Sequence, residues 1–190
     1  NNLPGVVCIT KLDLVKNGGG EAAGDIQQAV ARYRKIGYPV LLASSITGEG
    51  LDEVRAILQG RLSVLAGKSG VGKTSLLNAL QPGLGQRVGA VSQFTGKGKH
   101  TTSHQELFHL DFGGAIVDTP GVREFGLWDM KPDELGLFFP EMRAYLGKCK
   151  FGLDCGHDEE PGCAVRSAVV AGDISPQRYK SYVKLRQEVV

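Results

Sequence analysis

The sequence predicts an α/β fold, in which a mostly parallel sheet is flanked by helices and followed by a small α-helical module. Short β-branched apolar runs alternate with helical patterns over the first two thirds of the chain. A glycine-rich loop stands between one of these runs and an apolar helix. Near the carboxyl end the alternation stops, and three cysteines and a histidine lie within fifteen residues. This last feature predicts a separate, metal-stabilised module.

Four apolar runs have the length and β-branched content of buried parallel strands. They are residues 6–10, 40–44, 63–66 and 115–118. Between them, residues 25–36 and 51–58 carry apolar side chains at helical spacing, so we expect two helices packed on the sheet through right-handed crossovers. Residues 105–110 predict an edge strand, because Gly113 and Gly114 supply a tight turn before the last apolar run.

Composition limits the classes of protein to consider. The 190 residues are 42% hydrophobic, enough for one main core and a satellite, and the net charge of +2 gives no strong global field. No apolar run approaches the roughly 20 residues that span a bilayer, and the start does not resemble a signal peptide. We therefore expect a soluble, cytoplasmic protein. Because the chain starts at Asn1 without Met, we also expect it to be processed or truncated.

The segment from residue 67 to 74 carries the phosphate-loop pattern: Gly, four residues, then Gly-Lys-Thr. In such a loop, backbone N–H groups surround the phosphates, Lys73 reaches the β- and γ-oxygens, and Thr74 coordinates Mg²⁺. The expected nucleotide-binding residues here are Gly67, Lys68, Ser69, Gly70, Val71, Gly72, Lys73, Thr74 and Ser75. A chance glycine-rich turn is the alternative, which the strand–loop–helix context disfavours.

Two later segments are expected to complete the phosphate site. Asp118 ends an apolar run at the carboxyl edge of the sheet, where it can hold Mg²⁺ through water. The N–H of Gly121 can meet the γ-phosphate, since glycine permits close approach. Residues 96–104 would by themselves be a basic solvated loop. Their place between the two phosphate motifs predicts that Thr102 closes on Mg²⁺, with Thr101 as the second choice.

The base is predicted to be guanine. A carboxylate that accepts hydrogen bonds from both N1–H and the 2-amino group rejects adenine, which lacks that pair of donors. Asp13 would accept both, next to Thr10, and the stem of Lys11 would cover the base. Ser44 and Ser45 end the next strand, where a backbone N–H can meet guanine O6. The alternative is a P-loop kinase that uses ATP, but recognition of adenine would give Asp13, Ser44 and Ser45 no role.

The order of these motifs resembles that of a circularly permuted GTPase, because the base-reading residues precede the phosphate loop. The permuted order, residues 118–126 (DTPGVREFG), residues 100–102 and the downstream Cys/His cluster are similar to the ribosome small subunit-dependent GTPase A family. The resemblance covers nearly the whole chain. It implies a P-loop GTPase fold. It also implies that the protein hydrolyses GTP, is stimulated by the small ribosomal subunit and acts in the late maturation of that subunit. We expect a monomer that contacts rRNA. The family's amino-terminal OB-fold domain is expected to be absent here.

Two departures from ordinary GTPases have consequences. Thr10 stands where an Asn usually links base and phosphate loop, so we expect weaker nucleotide binding with specificity intact. Val122 follows Gly121, where Ras-like enzymes place a water-orienting Gln. The family shares this apolar residue, and we expect His100 to position the water, with His104 behind it. Contact of both histidines with phosphate or ribosome is one alternative, and a non-catalytic GTP-dependent RNA-binding module is another.

Four side chains predict a structural zinc site: Cys149, Cys155, His157 and Cys163. Disulfides are the alternative, but a reduced compartment and the histidine between cysteines argue against them. Cys8 is predicted to be a small core residue. We expect a GTPase domain at 1–130 and a helical zinc-binding domain at 131–190. Because the γ-phosphate sensor runs almost directly into the second domain, hydrolysis is expected to reposition it.

The zinc-binding domain is expected to end in helices 164–171 and 176–189, the second opened by Ser175 and Pro176. Local basic residues offer contacts for RNA phosphates that the net charge does not reveal. They are Lys148, Lys150, Arg166, Arg178, Lys180, Lys184 and Arg186. A solvated helix face explains them nearly as well.

Overall fold

The computed structural model describes residues 3–17, 20–85, 106–118 and 131–189. The chain divides into two compact units, Asn1–Glu124 and Phe125–Val190, each with its own apolar core. The domain boundary predicted at residue 130 borders residues 119–130, outside the described part, and stays a prediction.

The first unit contains, among its described residues, five strands and four helices. The strands are β1 (Val7–Ile9), β2 (Val40–Leu42), β3 (Leu62–Val64), β4 (Glu106–His109) and β5 (Ala115–Asp118). The helices are α1 (Leu12–Asn17), α2 (Gly20–Lys35), α3 (Leu51–Leu58) and α4 (Lys73–Leu80). The helix predicted at 25–36 begins five residues earlier, and the six-residue α1 was not predicted.

The strands form two ladders. β1 pairs with β2 in parallel, β3 pairs with β5 in parallel, and β4 pairs with β5 antiparallel, in the order β3-β5-β4. The mostly parallel sheet and the antiparallel edge strand are therefore confirmed. Gly114 in the connecting turn has φ of 94°, and a Cβ there would lie 2.5 Å from the Leu58 carbonyl oxygen, so only glycine fits.

The predicted burial of the strand before the phosphate loop is wrong. The side chains of Leu62 and Val64 are 69% and 51% exposed. They point to the same face because residues alternate along a strand, and β3 is the end strand of its ladder among the described residues. Burial of a strand depends on what lies beside it, which its own residues do not encode.

The core of the first unit positions the phosphate loop. Leu51, Val54 and Leu58 on α3 and Leu76, Leu77 and Leu80 on α4 are all buried in one cluster with Ile116 of β5. Their three- and four-residue spacing gives each helix one apolar face. Arg55 of α3 also donates to the Leu80 carbonyl oxygen at 3.2 Å. Helix α4, which carries the end of the phosphate loop, is thereby held against the sheet.

The second unit is built from short helices around a core of aromatic and aliphatic side chains. Its 3-10 helices are Leu135–Phe138 and Gly152–Asp154, and its α-helices are α5 (Ala164–Ala171) and α6 (Pro176–Glu188). Tyr182 on α6 packs edge-on against Phe139 with ring centroids 5.5 Å apart. Helix α6 begins at Pro176 as predicted, but the Ser175 hydroxyl donates to the Gln177 side chain and caps no backbone N–H.

Glu141 and Arg178 form an ion pair inside the second unit, with Nε and Oε1 2.6 Å apart. Their side chains are 4% and 17% exposed, so the pair ties α6 to the segment between the two 3-10 helices. The described helices of the chain include none that is both long enough and apolar enough to cross a membrane.

Candidate functional site

The phosphate loop, residues 67–72, connects β3 to α4. Gly70 and Gly72 have φ of 77° and 103°, in the left-handed region that residues with a Cβ rarely adopt. These turns lead the backbone into α4, with Gly72 as its N-cap residue. The N–H groups of the first helical turn have no acceptor within the helix. Loop and helix together therefore form a concavity suited to an anion.

The Lys73 ammonium lies over this concavity. It donates to the Gly67 carbonyl oxygen and, at 3.1 Å, to the Lys68 carbonyl oxygen. Both acceptors belong to the loop, so the ammonium can exchange them for phosphate oxygens without leaving the site. Thr74 and Ser75 follow on the first turn of α4, and both side chains are exposed.

The segment predicted to bind the base contacts the phosphate loop directly. Thr10 Oγ1 donates to the Val71 carbonyl oxygen at 2.5 Å, and Lys11 Nζ donates to the Gly70 carbonyl oxygen at 2.7 Å. These residues are about sixty positions apart along the chain. Thr10 thus links the base-reading segment to the phosphate loop through one hydroxyl.

Asp13 is oriented from the neighbouring strand end. The Ser44 hydroxyl donates to Asp13 Oδ1 at 2.5 Å, and the Ser44 side chain is completely buried. Ser44 Oγ in turn accepts the N–H groups of Ile46 and Thr47, both at 3.2 Å. The N–H of Ile46 is therefore engaged, whereas that of Ser45 bonds to no partner in the described part of the chain.

These groups surround one cavity of about 510 Å³, within the range of small-molecule sites. Thr10, Lys11 and Asp13 line it on one side, and α4 lines it through Gly72 and Ser75. The structure thus brings together residues that the sequence assigned separately to base and phosphate.

Asp118 lies at the carboxyl end of β5. Because β5 runs parallel to β3, with Val117 opposite Val64, Asp118 comes at the same edge as the phosphate loop. The other predicted residues of this part lie outside the described residues. They are His100, Thr101, Thr102, His104, Gly121 and Val122.

Two polar contacts at the site were not predicted from the sequence. Ser44 was expected in the nucleotide site at a strand end, but the hydrogen bond from its hydroxyl to Asp13 was not, although the parallel neighbour of a strand ending near Asp13 was a signal for this contact. Asn78 also lines the cavity, and its Oδ1 accepts the Gly85 N–H at 2.8 Å. Its spacing of four residues from Thr74 places both on one helix face.

The four predicted zinc ligands are all buried, and their donor atoms lie within 4.8 Å of one another. Cys149 Sγ is 3.4 Å from His157 Nδ1 and 3.9 Å from Cys163 Sγ. A tetrahedral zinc ion needs S–N and S–S edges of about 3.5 and 3.8 Å. A disulfide would need sulfurs about 2.05 Å apart, and the cysteines are free.

The surroundings of the cluster suit a metal that binds thiolates and a neutral imidazole. Burial raises the pKa of the Cys155 thiol to about 12 and lowers the pKa of His157. A bound cation would hold the Cys155 sulfur as a thiolate against this effect of burial. The Ala164 N–H donates to Cys149 Sγ at 3.2 Å, and Cys163 accepts the Arg166 N–H as N-cap of α5. The donor set fits structural zinc and leaves no position open.

Comparison with known proteins gives relatives over the whole chain. The model of the RsgA GTPase family matches residues 1–128. The small ribosomal subunit biogenesis GTPase RsgA of Shewanella oneidensis is 46% identical over 97% of this chain and 51% of its own length. The protein of that name from Gemmatimonas aurantiaca is 50% identical over 100% of this chain and 60% of its own. The chain thus spans about half to three fifths of these relatives.

Two solved structures are similar in fold. YjeQ from Thermotoga maritima superposes with a TM-score of 0.77 at 36% identity, covering all of this chain and 61% of that one. YloQ, described as a circularly permuted GTPase, gives 0.73 at 35% identity and covers 97% and 56%. In this chain the residues predicted to bind the base precede the phosphate loop, which is the motif order of a circularly permuted GTPase. The chain therefore belongs to the RsgA GTPase family and has the circularly permuted GTPase fold.

Proposed function

We propose that this protein hydrolyses GTP to GDP and phosphate, stimulated by the small ribosomal subunit, and acts late in the maturation of that subunit. The observation that carries the proposal is the contact of Thr10 and Lys11 with the phosphate loop, which gives base and phosphate groups one common cavity. The names of the relatives supply the ribosomal part.

Guanine recognition is assigned to the strand ends. Asp13, with one oxygen held by Ser44, accepts N1–H and the 2-amino group through its remaining acceptor positions. The Ser45 N–H donates to O6, and the stem of Lys11 covers the ring. A base without the two donors leaves the Asp13 carboxylate poorly paired, which is the basis of selection against adenine.

The phosphates are assigned to the backbone N–H groups of residues 67–75, to Lys73 and to the Gly121 N–H. Thr74, Thr102 and Asp118 would hold Mg²⁺, which would neutralise charge on the phosphate oxygens. Lys73 stabilises negative charge, and His100 orients the attacking water in place of the Gln that Val122 replaces. Positioning and charge stabilisation, rather than a strong base, are what this reaction needs.

The second unit is proposed to hold one structural Zn²⁺ through its Cys₃His set and to contact ribosomal RNA through its exposed basic residues, which are Lys148, Lys150, Arg166, Lys180 and Lys184. Arg178 is not among them, because its side chain is 17% exposed and paired with Glu141. We further propose that the protein is monomeric, cytoplasmic and not membrane-bound. Because the chain is shorter than its relatives, each of these properties is to be measured on the 190-residue chain itself.

The experiment is GTP turnover by the purified chain as small ribosomal subunits are titrated in. We expect slow intrinsic turnover that rises and saturates with subunit concentration, and a much weaker competition by ATP than by GDP. GTP binding with no turnover at any subunit concentration would contradict the hydrolase. It would favour the second candidate, a GTP-dependent RNA-binding switch, which Val122 in place of the usual Gln makes chemically reasonable.

The catalytic histidine has its own test. A His100→Ala chain is expected to bind GTP normally and to lose most of the subunit-stimulated turnover. Undiminished turnover would exclude His100 and direct attention to His104. Comparison of the second unit in complexes with GDP and with a GTP analogue tests whether hydrolysis repositions it, and identical positions would contradict that coupling.

A further inference from the structure

Two of the four metal ligands lie on an irregular loop. Cys155 and His157 are separated only by Gly156, and neither belongs to a helix or strand. His157 has φ of 59°, a left-handed conformation that is unfavourable for a residue with a Cβ. Such a conformation persists only when surrounding contacts enforce it. The position of the imidazole therefore depends on what binds the backbone on either side of it.

The Glu160 carboxylate binds both flanking residues. Its Oε1 accepts the Gly156 N–H at 2.7 Å, and its Oε2 accepts the Asp158 N–H at 2.8 Å. These are charge-assisted hydrogen bonds, about twice as strong as neutral ones. Both oxygens face backbone N–H groups, and Glu160 is not among the clustered ligand atoms. Glu160 therefore contacts the ligand loop without being a ligand.

The charge on Glu160 is stabilised locally. Burial alone would raise the pKa of this carboxyl, but the backbone N–H groups of Glu160, Asp158 and Gly156, together with the Arg186 guanidinium, hold it below its ordinary value. A Cβ at Gly156 would lie 2.7 Å from both Arg186 Nη2 and Glu160 Oε1. Without a side chain here, the guanidinium and the carboxylate both have room to approach the loop at these positions.

One face of α6 completes the enclosure of the loop. Tyr179 Oη donates to the His157 carbonyl oxygen at 2.9 Å, and Tyr182 Oη donates to the Gly156 carbonyl oxygen at 3.4 Å. With Arg186, these residues stand at spacings of three and four along the helix, which is one helical face. The N–H groups around His157 are thus bound from one side and the carbonyl groups from the other.

We propose that Glu160 is the positioning residue of the metal site, setting the backbone conformation that presents Cys155 and His157 together to a metal ion. The inference rests on the proposed zinc site and deepens it. Outer contacts that orient metal ligands are typically worth about 10- to 100-fold in metal affinity. Glu160 therefore matters for retention of zinc, although it never touches the ion.

The test uses three variants of the 190-residue chain: Glu160→Ala, Glu160→Gln and, as control, Glu159→Gln. Glu159 is the adjacent, exposed acid, so its variant makes the same change in charge as Glu160→Gln without touching the loop. The rate of zinc transfer to an excess of chelator is measured for each. Co²⁺-substituted samples are compared by their visible d–d bands, which report the geometry of the ligands.

Both Glu160 variants are expected to lose zinc about 10- to 100-fold faster than the unmodified chain. Glu160→Ala should lose it faster, because the glutamine keeps one acceptor oxygen. The Co²⁺ bands should shift in both, and Glu159→Gln should match the unmodified chain throughout. If the alanine variant does not fold, the glutamine variant decides alone.

Zinc loss at the unmodified rate overturns the inference. So does a lower melting temperature with unchanged Co²⁺ bands and unchanged zinc loss, which would assign Glu160 to general stability of the second unit. An unmodified chain that binds neither zinc nor Co²⁺ through thiolates would overturn the zinc site itself, and the inference with it. These failures are distinguishable, because the last is seen before any variant is compared.

Discussion

The phosphate loop and the cysteine cluster hold their charged ligands in opposite ways. Residues 67–71 and Lys11 are exposed, and the side chains of Lys11 and Lys73 donate hydrogen bonds to carbonyl groups of this loop. The four cluster side chains are buried, and their donor atoms lie close to one another and to the backbone N–H groups of Ala164 and Arg166. The first arrangement suits a ligand that exchanges, and the second suits an ion that stays.

The largest expected effect comes from removing one ligand of the buried cysteine cluster. Cys163→Ser removes a thiolate ligand while a serine can still cap α5, and structural zinc contributes about 10–16 kcal/mol of folding free energy. We expect loss of bound zinc and of the folded second unit, measured by metal content and by protease sensitivity of residues 131–189. Cys8→Ser, a change of the same kind in β1, should leave both unchanged, and a Cys8 effect of equal size would contradict the assignment.

The second largest effect is expected in the exposed nucleotide site, at Asp13, the carboxylate that is proposed to bind the base. Asp13→Ala removes the acceptor for two guanine donors, and hydrogen bonds to charged groups contribute about 1.5–3 kcal/mol each. We expect GTP affinity, measured by titration calorimetry, to fall about 100-fold or more. The melting temperature should fall by less than for Ser44→Ala, since only the Ser44 hydroxyl loses its acceptor. Asp25→Ala, an exposed acid on α2, is the control. Unchanged GTP binding by Asp13→Ala would place the base elsewhere.

The hydrogen bond from Ser44 is expected to orient the Asp13 carboxylate. Ser44→Ala leaves Asp13 Oδ1 without its buried donor and two N–H groups without their acceptor. A loss of about 1–3 kcal/mol is expected, shared between stability and GTP affinity. Ser45→Ala should change neither, because only its backbone N–H has a role. Equal effects of the two serine variants in binding and melting measurements would contradict this division.

The smallest effect is expected at Thr10. Thr10→Val keeps the side-chain shape and deletes the hydroxyl that bonds to the Val71 carbonyl oxygen, a loss of about 1 kcal/mol or roughly fivefold in affinity. Thr10→Asn should tighten GTP binding by a similar factor, because an amide can contact base and loop at once. Tighter binding by Thr10→Val and weaker binding by Thr10→Asn, seen in nucleotide dissociation rates, would contradict this and show that the hydroxyl itself weakens binding.

The sequence predicted both sites, but not the contacts that orient their side chains. The phosphate loop and the cysteine cluster were predictable because their residues are close along the chain, within eight and fifteen positions. Two features were not predictable: that His157 faces the sulfurs through Nδ1, and that Glu160 binds the backbone on both sides of His157. Both depend on a left-handed loop conformation. The Ser44–Asp13 bond spans 31 positions and depends on the register of β1 against β2.

The fold was likewise predictable where local pattern suffices. Alternating strands and helices and the hairpin at Gly113 and Gly114 follow from periodicity and turn residues. The division of the strands into two ladders does not, because pairing is set by contacts between distant segments. The six residues of α1 are too few to show helical periodicity.

Strand β3 has a consequence for handling the protein in solution. Its free edge in the described part of the chain and its exposed Leu62 and Val64 form a template on which another extended chain can pair. With a net charge of only +2, electrostatic repulsion between molecules gives little protection. The concentration at which this chain begins to self-associate should therefore be governed by three residues of one strand, and a lysine in place of Leu62 should raise its solubility.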